Sequence, residues 1–117
     1  MLSRYNFILL LTVLSLNAKA VEEFTIELKQ HLFYPSRIEV PANQKVKLII
    51  HNLDEQPEEF DSFDLNREKM IFAGRKAIIF IGPLKPGEYA FFGEYHPNTA
   101  RGLVVASELK QGEQDVD

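Results

Sequence analysis

The sequence predicts an all-β domain, a sandwich or a barrel, and three observations carry that reading. Apolar and polar side chains alternate with a period of two in the longer runs, as the pleat of a half-buried strand requires. Gly, Pro and Asn punctuate the chain into short pieces. Only one segment carries helical character.

Taken in order after Ala20, "FTIEL" sets Phe24, Ile26 and Leu28 against Thr25 and Glu27. "RIEV" runs into Pro41, and "PANQ" is a turn. "KVKLIIHN" sets Val46, Leu48 and Ile50 against Lys45 and Lys47, and the same alternation sends His51 to solvent. "DLNREKM", residues 64–70, is the one place where a helical turn is expected, capped by Asp64 with Arg67 and Lys69 outside. "AIIFI" is a short, nearly continuous apolar run stopped by Gly82-Pro83. "KPGEY" turns into "YAFF", and "LVVA" is the last apolar run. Tyr89, Phe91, Phe92 and Tyr95 read as packing residues rather than a cofactor box. No internal repeat, linker or second domain is evident.

The first twenty residues differ in kind. Arg4 precedes the apolar run "FILLLTVLSL", which is too short to span a bilayer comfortably, and "AKA" ends at Ala20. This is the pattern of a secretory signal peptide, residues 1–20, cleaved before Val21. The expected organisation is therefore a signal peptide, a domain at 21–109, and an acidic flexible tail at 110–117. Cleavage removes Arg4 and Lys19 and leaves 11 basic against 17 acidic side chains, a net charge of −6. Such a surface repels nucleic acid and suits cations or a basic partner. The chain holds no Cys, so it has neither a disulfide nor a thiolate, and its core rests on packing alone.

The chemistry-bearing residues gather in two stretches. "NLDEQPEEF" carries Glu58 and Glu59, with Asp61 following, and "FFGEYHPNTARG" carries Glu94 and His96. If "YAFFGEYH" stays extended, Glu94 and His96 share a face. Imidazoles and carboxylates together make a nitrogen/oxygen donor set, which suits Fe(II), Fe(III), Cu(II), Mn(II) or Zn(II). Arg67, Lys69 and Arg101 read as charges offsetting nearby carboxylates. No Ser/His/Asp set, phosphate-cradling Gly loop or hydrolase carboxylate pair is present.

Three pieces in register resemble the cupredoxins: residues 33–52 with "FYPSRIEVPANQKVKLIIHN", residues 52–60, and residues 86–102 with "PGEYAFFGEYHPNTARG". The resemblance implies a Greek-key β-sandwich with a metal site at one pole. It also places the family's first His at Glu58, its Cys at Gly93, its second His at His96 and its axial Met at Ala100, with Asn43 where Gly is usual. Only His96 is retained, and without a thiolate an ordinary blue-copper site is excluded. The resemblance further puts His31 beside the metal site. "PEEFDSFDLNREK", "IGPLKPGEYAFFGE" and "TARG" look most like small exported cupredoxin-like proteins found with bacterial ferrous-iron uptake systems built around an iron permease. The expected function is thus an exported, periplasmic protein that binds iron or copper at His31, Glu58, Glu59, Glu94 and His96, with membrane permease and periplasmic partners. Assisted oxidation of Fe(II) is a variant of it. The alternative is a metal-free module docking a basic partner through its acidic pole.

Overall fold

Nine strands form two packed sheets in the computed structural model, which describes residues 20–108 together with Thr12. They are β1 (Glu22–Lys29), β2 (Leu32–Tyr34), β3 (Arg37–Pro41), β4 (Val46–Asn52), β5 (Glu58–Ser62), β6 (Arg67–Ile71), β7 (Lys76–Ile81), β8 (Gly87–Gly93) and β9 (Arg101–Ser107). A four-stranded sheet runs β2-β1-β4-β7, and a five-stranded sheet runs β3-β9-β8-β5-β6. The pairs β1–β4 and β3–β9 are parallel and the others antiparallel. The signal peptide and the acidic tail expected from the sequence lie outside the described residues.

Alternation decides which side chains meet between the sheets. Ile26 and Leu28 of β1, Val46, Leu48 and Ile50 of β4, and Ala77, Ile79 and Ile81 of β7 face inward from one sheet. Ile38, Val40, Phe60, Ile71, Phe91, Val104 and Ala106 face them from the other. The apolar run "AIIFI" is no continuous buried strand. Its Ile78 and Phe80 project outward from β7, an edge strand, where Lys45 Nζ lies 4.6 Å from the Phe80 ring centroid.

Phe33, Phe60 and Phe91 form the part of the core that matters most for function. Phe91 lies edge-on to Phe33 at 5.1 Å and stacks on Phe60 at 5.0 Å. They belong to β2, β5 and β8, the strands that deliver His31, Glu58 and the loop of His96. Truncating any one to Ala would cost about 3–5 kcal/mol, so the trio fixes the relative positions of all three suppliers.

Residues 64–70 differ from the expected helical turn. Residues 63–66 make a turn and 67–71 are strand β6, pairing antiparallel with β5. Ser62 Oγ accepts from Leu65 N–H at 3.0 Å, and the Asp64 carboxylate accepts from Ala90 N–H at 2.9 Å. Asp64 therefore ties β8 to this turn instead of capping a helix. Ladder hydrogen bonds to β5 satisfy more backbone groups than a single helical turn can.

Candidate functional site

Three residues from separate elements converge at one pole. Glu58 opens β5, His31 sits in the turn between β1 and β2, and His96 lies in the loop between β8 and β9. One ligand-type atom from each lies within 4.8 Å of the others. Glu58 is 1% exposed. Its Oε1 accepts from the backbone N–H of Glu59 at 3.0 Å and of Tyr95 at 2.9 Å. Its Oε2 lies 2.8 Å from His96 Nδ1, which donates when the carboxyl is ionised. Three donors thus offset the desolvation of a charge that would be very costly to bury alone. His96 is brought back over Glu58 by a tight turn, closed by its own N–H on Gly93 O at 3.1 Å.

Backbone strain places His31. Gln30 and His31 form a two-residue hairpin loop with φ of 53° and 59°. That conformation matches strand twist but normally calls for Asn or Gly. Asp54 supplies the compensation: its carboxylate accepts from Gln30 N–H at 2.6 Å and from His31 N–H at 3.0 Å. Asn52, fully buried, accepts from Asp54 N–H at 2.9 Å and donates to Gln56 O and Ile71 O. The outcome is a His31 ring stacked on the His96 ring, centroids 3.5 Å apart and planes 13° from parallel. Sequence reasoning did not single out Asp54 or Asn52. No spacing in the chain announces that a carboxylate at 54 will cap a turn at 30–31.

Glu59 and Glu94 are not in this cluster. Alternation turns Glu59 to the outer face of the five-stranded sheet. The chain does not stay extended past Gly93 but turns, so Glu94 and His96 part company. Glu94 instead meets Asp61, with Glu59 and Glu68 nearby, and its carboxyl is raised above the ordinary 4.5. A side-chain hydrogen bond with Asp61 is the main cause, followed by desolvation and the negative charges of Asp61, Glu59 and Glu68. Glu68 had a sequence signal: with residues 63–66 read as a turn, the hairpin register sets it opposite Asp61.

The sequence matches the cupredoxin-like domain family over residues 5–106. The chain belongs to that family. An uncharacterized protein of Rickettsia prowazekii (strain Madrid E) is 44% identical over 86 residues, 74% of this chain and 69% of the relative. Among solved structures, the metal binding domain of the Cu(I) exporting P-type ATPase of Streptococcus pneumoniae D39 superposes with a TM-score of 0.66 at 13% identity, covering 75% of this chain and 95% of that one. Auracyanin A, a "blue" copper protein of Chloroflexus aurantiacus, gives 0.63 at 12%, covering 73% and 98%. The purple cupredoxin of Nitrosopumilus maritimus gives 0.55 at 20%, covering 71% and 98%. At these identities the structural likeness concerns the fold.

Membership raises the question of copper, and the residues answer it in part. A cupredoxin thiolate has no place here. The sequence resemblance sets Gly93 at the corresponding position, and a Cβ built on Gly93 would stand 2.6 Å from Glu58 Cδ and 2.8 Å from Ala100 Cβ. The Glu58 carboxyl fills the space a side chain at 93 would enter. The donor set present, two imidazoles and one carboxylate, fits a nitrogen/oxygen ion and not a blue-copper centre. Nearly parallel imidazole planes carry their lone pairs side by side, so His31 must rotate before both rings can serve one ion.

Proposed function

We propose that this cupredoxin-like protein is an exported metal carrier that takes iron or copper at His31, Glu58 and His96, as a periplasmic accessory of ferrous-iron uptake through a membrane permease. The observation that carries the reading is a carboxylate 1% exposed with two imidazoles, their ligand atoms within 4.8 Å. Glu58 supplies negative charge, His96 a ring nitrogen already aimed at that carboxylate, and His31 a second ring carried on the turn that Asp54 holds. A bound ion of this class would supply Lewis acidity or a redox couple in which carboxylate ligation favours the higher charge. The reading extends to assisting the oxidation of Fe(II), with copper and dioxygen as acceptors. The iron-uptake role rests on the sequence likeness of residues 57–69, 81–94 and 99–102. Titration calorimetry of the metal-free protein with Cu(II), and anaerobically with Fe(II), should give about one site of micromolar or tighter affinity. His96→Ala should remove it. Absence of uptake of iron, copper and manganese by the native protein would refute the reading.

One observation favours a second reading, a metal-free interaction module. The Glu58 carboxylate already accepts three hydrogen bonds, so the pole is self-satisfied without an ion. On that reading the acidic surface docks a basic partner. The association would weaken with added salt and leave metal content unchanged.

A further inference from the structure

Two edge strands lie on the same open side of the sandwich. β6 ends the five-stranded sheet and β7 ends the four-stranded one. In an antiparallel pair every second residue turns its N–H and C=O to the partner strand, and the next turns them away. Arg75 O accepts from Asn52 N–H, so the odd-numbered residues of β7 bond toward β4. Phe80 O instead accepts from Arg67 Nε at 2.9 Å, so Lys76, Ile78 and Phe80 turn their backbone groups to the free edge. Arg67 satisfies one of those groups. The N–H groups of Lys76, Ile78 and Phe80 and the carbonyls of Lys76 and Ile78 find no partner among the described residues.

The edge opens onto a groove whose charge opposes that of the chain. Lys69, Phe72, Arg75, Lys76 and Ile78 line it, with Glu68 as its one acid. Phe60, the β5 partner of Lys69, points into the core, so Lys69 leaves β6 on the same side and reaches toward β7. Arg75 and Lys76 close the end nearest the turn between the two strands. The ion pairs of the described residues involve His31, Lys47 and His96, and none of the three groove cations. Three unpaired cations against one acid stand out on a chain of net charge −4. Apolar side chains flank them: Phe72 is 65% exposed, Ile78 48% and Phe80 43%. An unpaired edge beside exposed apolar side chains is a template for a strand from another chain.

We propose that this groove takes an extended segment of a partner protein in which acidic and apolar side chains alternate, added to the four-stranded sheet beside β7. Its backbone pairs with Lys76, Ile78 and Phe80, as in other strand-addition complexes. Its side chains level with Ile78 and Phe80 share their outer face, and the intervening ones face Lys69 in the groove. Apolar residues suit the first set and carboxylates the second. Charge and backbone together choose the occupant. A second copy of this chain would bring the same cations to the edge, where like charges repel. A lipid surface has no ladder of alternating donors and acceptors to match the edge. The inference goes beyond the metal reading, since the groove contains none of His31, Glu58 and His96.

The test titrates isotope-labelled full-length protein with a blocked heptapeptide of alternating Glu and Val and follows amide hydrogen exchange by NMR. The expected result is saturable binding that slows exchange of the Lys76, Ile78 and Phe80 amides about tenfold or more. The Ala77 and Ile79 amides, already bonded to β4, should keep their rates. Lys69→Glu should weaken binding about tenfold. Ile78→Pro removes an N–H that bonds nothing within the sheet, a change that an edge strand tolerates, and should abolish it. Lys69 is exposed, so Lys69→Glu remains informative if Ile78→Pro folds poorly. Arg37→Glu makes the same charge change on β3, the far edge of the other sheet, and should leave binding as it was. No binding, or binding without protection of those three amides, overturns the proposal. So does equal weakening in Arg37→Glu, or equal binding of a heptapeptide of alternating Lys and Val. Protection that rises with protein concentration in the absence of peptide would assign the edge to a second copy and overturn it. Sedimentation with phosphatidylglycerol vesicles, lost in Lys69→Glu and without peptide binding, would assign the groove to lipid and overturn it as well.

Discussion

Gly93→Ala tests the claim that the Glu58 carboxyl fills the space a side chain at 93 would enter. The added methyl meets Glu58 Cδ at 2.6 Å, Ala100 Cβ at 2.8 Å and Glu58 Oε2 at 2.9 Å, all inside ordinary contact. Neither neighbour yields cheaply. Ala100 is fully buried and its carbonyl accepts Gly93 N–H at 2.8 Å, while Glu58 is pinned by Glu59, Tyr95 and His96. Overpacking alone costs about 1–3 kcal/mol, and moving Glu58 gives up hydrogen bonds to a charged group worth about 1.5–3 kcal/mol each. A net loss of about 2–4 kcal/mol follows, which lowers Tm by roughly 10–25 °C for a domain of this size. Circular dichroism melts of the chelator-treated protein measure it. The double variant Glu58→Ala with Gly93→Ala should lose less than the two single losses added together, because Glu58→Ala removes two of the three clashing atoms. A Gly93→Ala protein as stable as wild type, to within about 0.5 kcal/mol, would refute the reasoning.

Three further outcomes are expected. Asp54→Ala orphans the two N–H groups of the left-handed turn and should cost about 1–3 kcal/mol; His31 ring resonances in proton NMR should shift as its stacking on His96 is lost, whereas His51 should be unaffected. Gly102→Ala should cost about 3 kcal/mol, the upper end of the usual overpacking range, because a Cβ there would lie 2.1 Å from the Phe91 ring, and denaturant unfolding reads it directly. Glu94 has its carboxyl raised above 4.5, chiefly by its hydrogen bond with Asp61, so the folded protein holds that proton more tightly than the unfolded one. The resulting stability is present below about pH 4.5 and is lost as pH rises through the raised value. In chelator, Glu94→Gln should flatten this part of the stability–pH curve, and an unchanged curve would contradict it.

The legibility of the sequence followed the range of the interactions involved. Period-two alternation is local, and it marked the inward sets of β1 and β4, Ile26 with Leu28 and Val46 with Leu48 and Ile50. The same rule, applied to Glu58 and Glu59, separates them, and the structure puts one inside and one outside. Residues 64–70 misled because "DLNREK" has adequate helix formers and a good cap, and only the ladder to β5 overrides them. Glu94 misled for a related reason: whether a chain bends after a strand depends on closures such as His96 N–H to Gly93 O, which no pattern of side chains announces. Asn43 shows the opposite case. It stands where the sequence resemblance expects Gly and takes φ of 59°, a region that Asn tolerates, so the difference is readable from chemistry alone.

Glu58 and Glu59 are adjacent on one strand, yet the fold gives them different chemistry. Inward, a carboxyl meets imidazoles, backbone donors and the Phe33–Phe60–Phe91 packing, where charge must be matched group by group. Outward, a carboxyl meets other carboxylates across the β5–β6 ladder, where only a proton or a cation relieves the repulsion. One strand register thereby separates a nitrogen/oxygen donor set from an all-oxygen one across the thickness of a sheet. A shift of β5 by one residue would exchange the two, burying Glu59 and exposing Glu58. Phe60, which must face Phe91, forbids that shift. The aromatic packing of the core therefore selects which carboxylate stands beside His31 and His96.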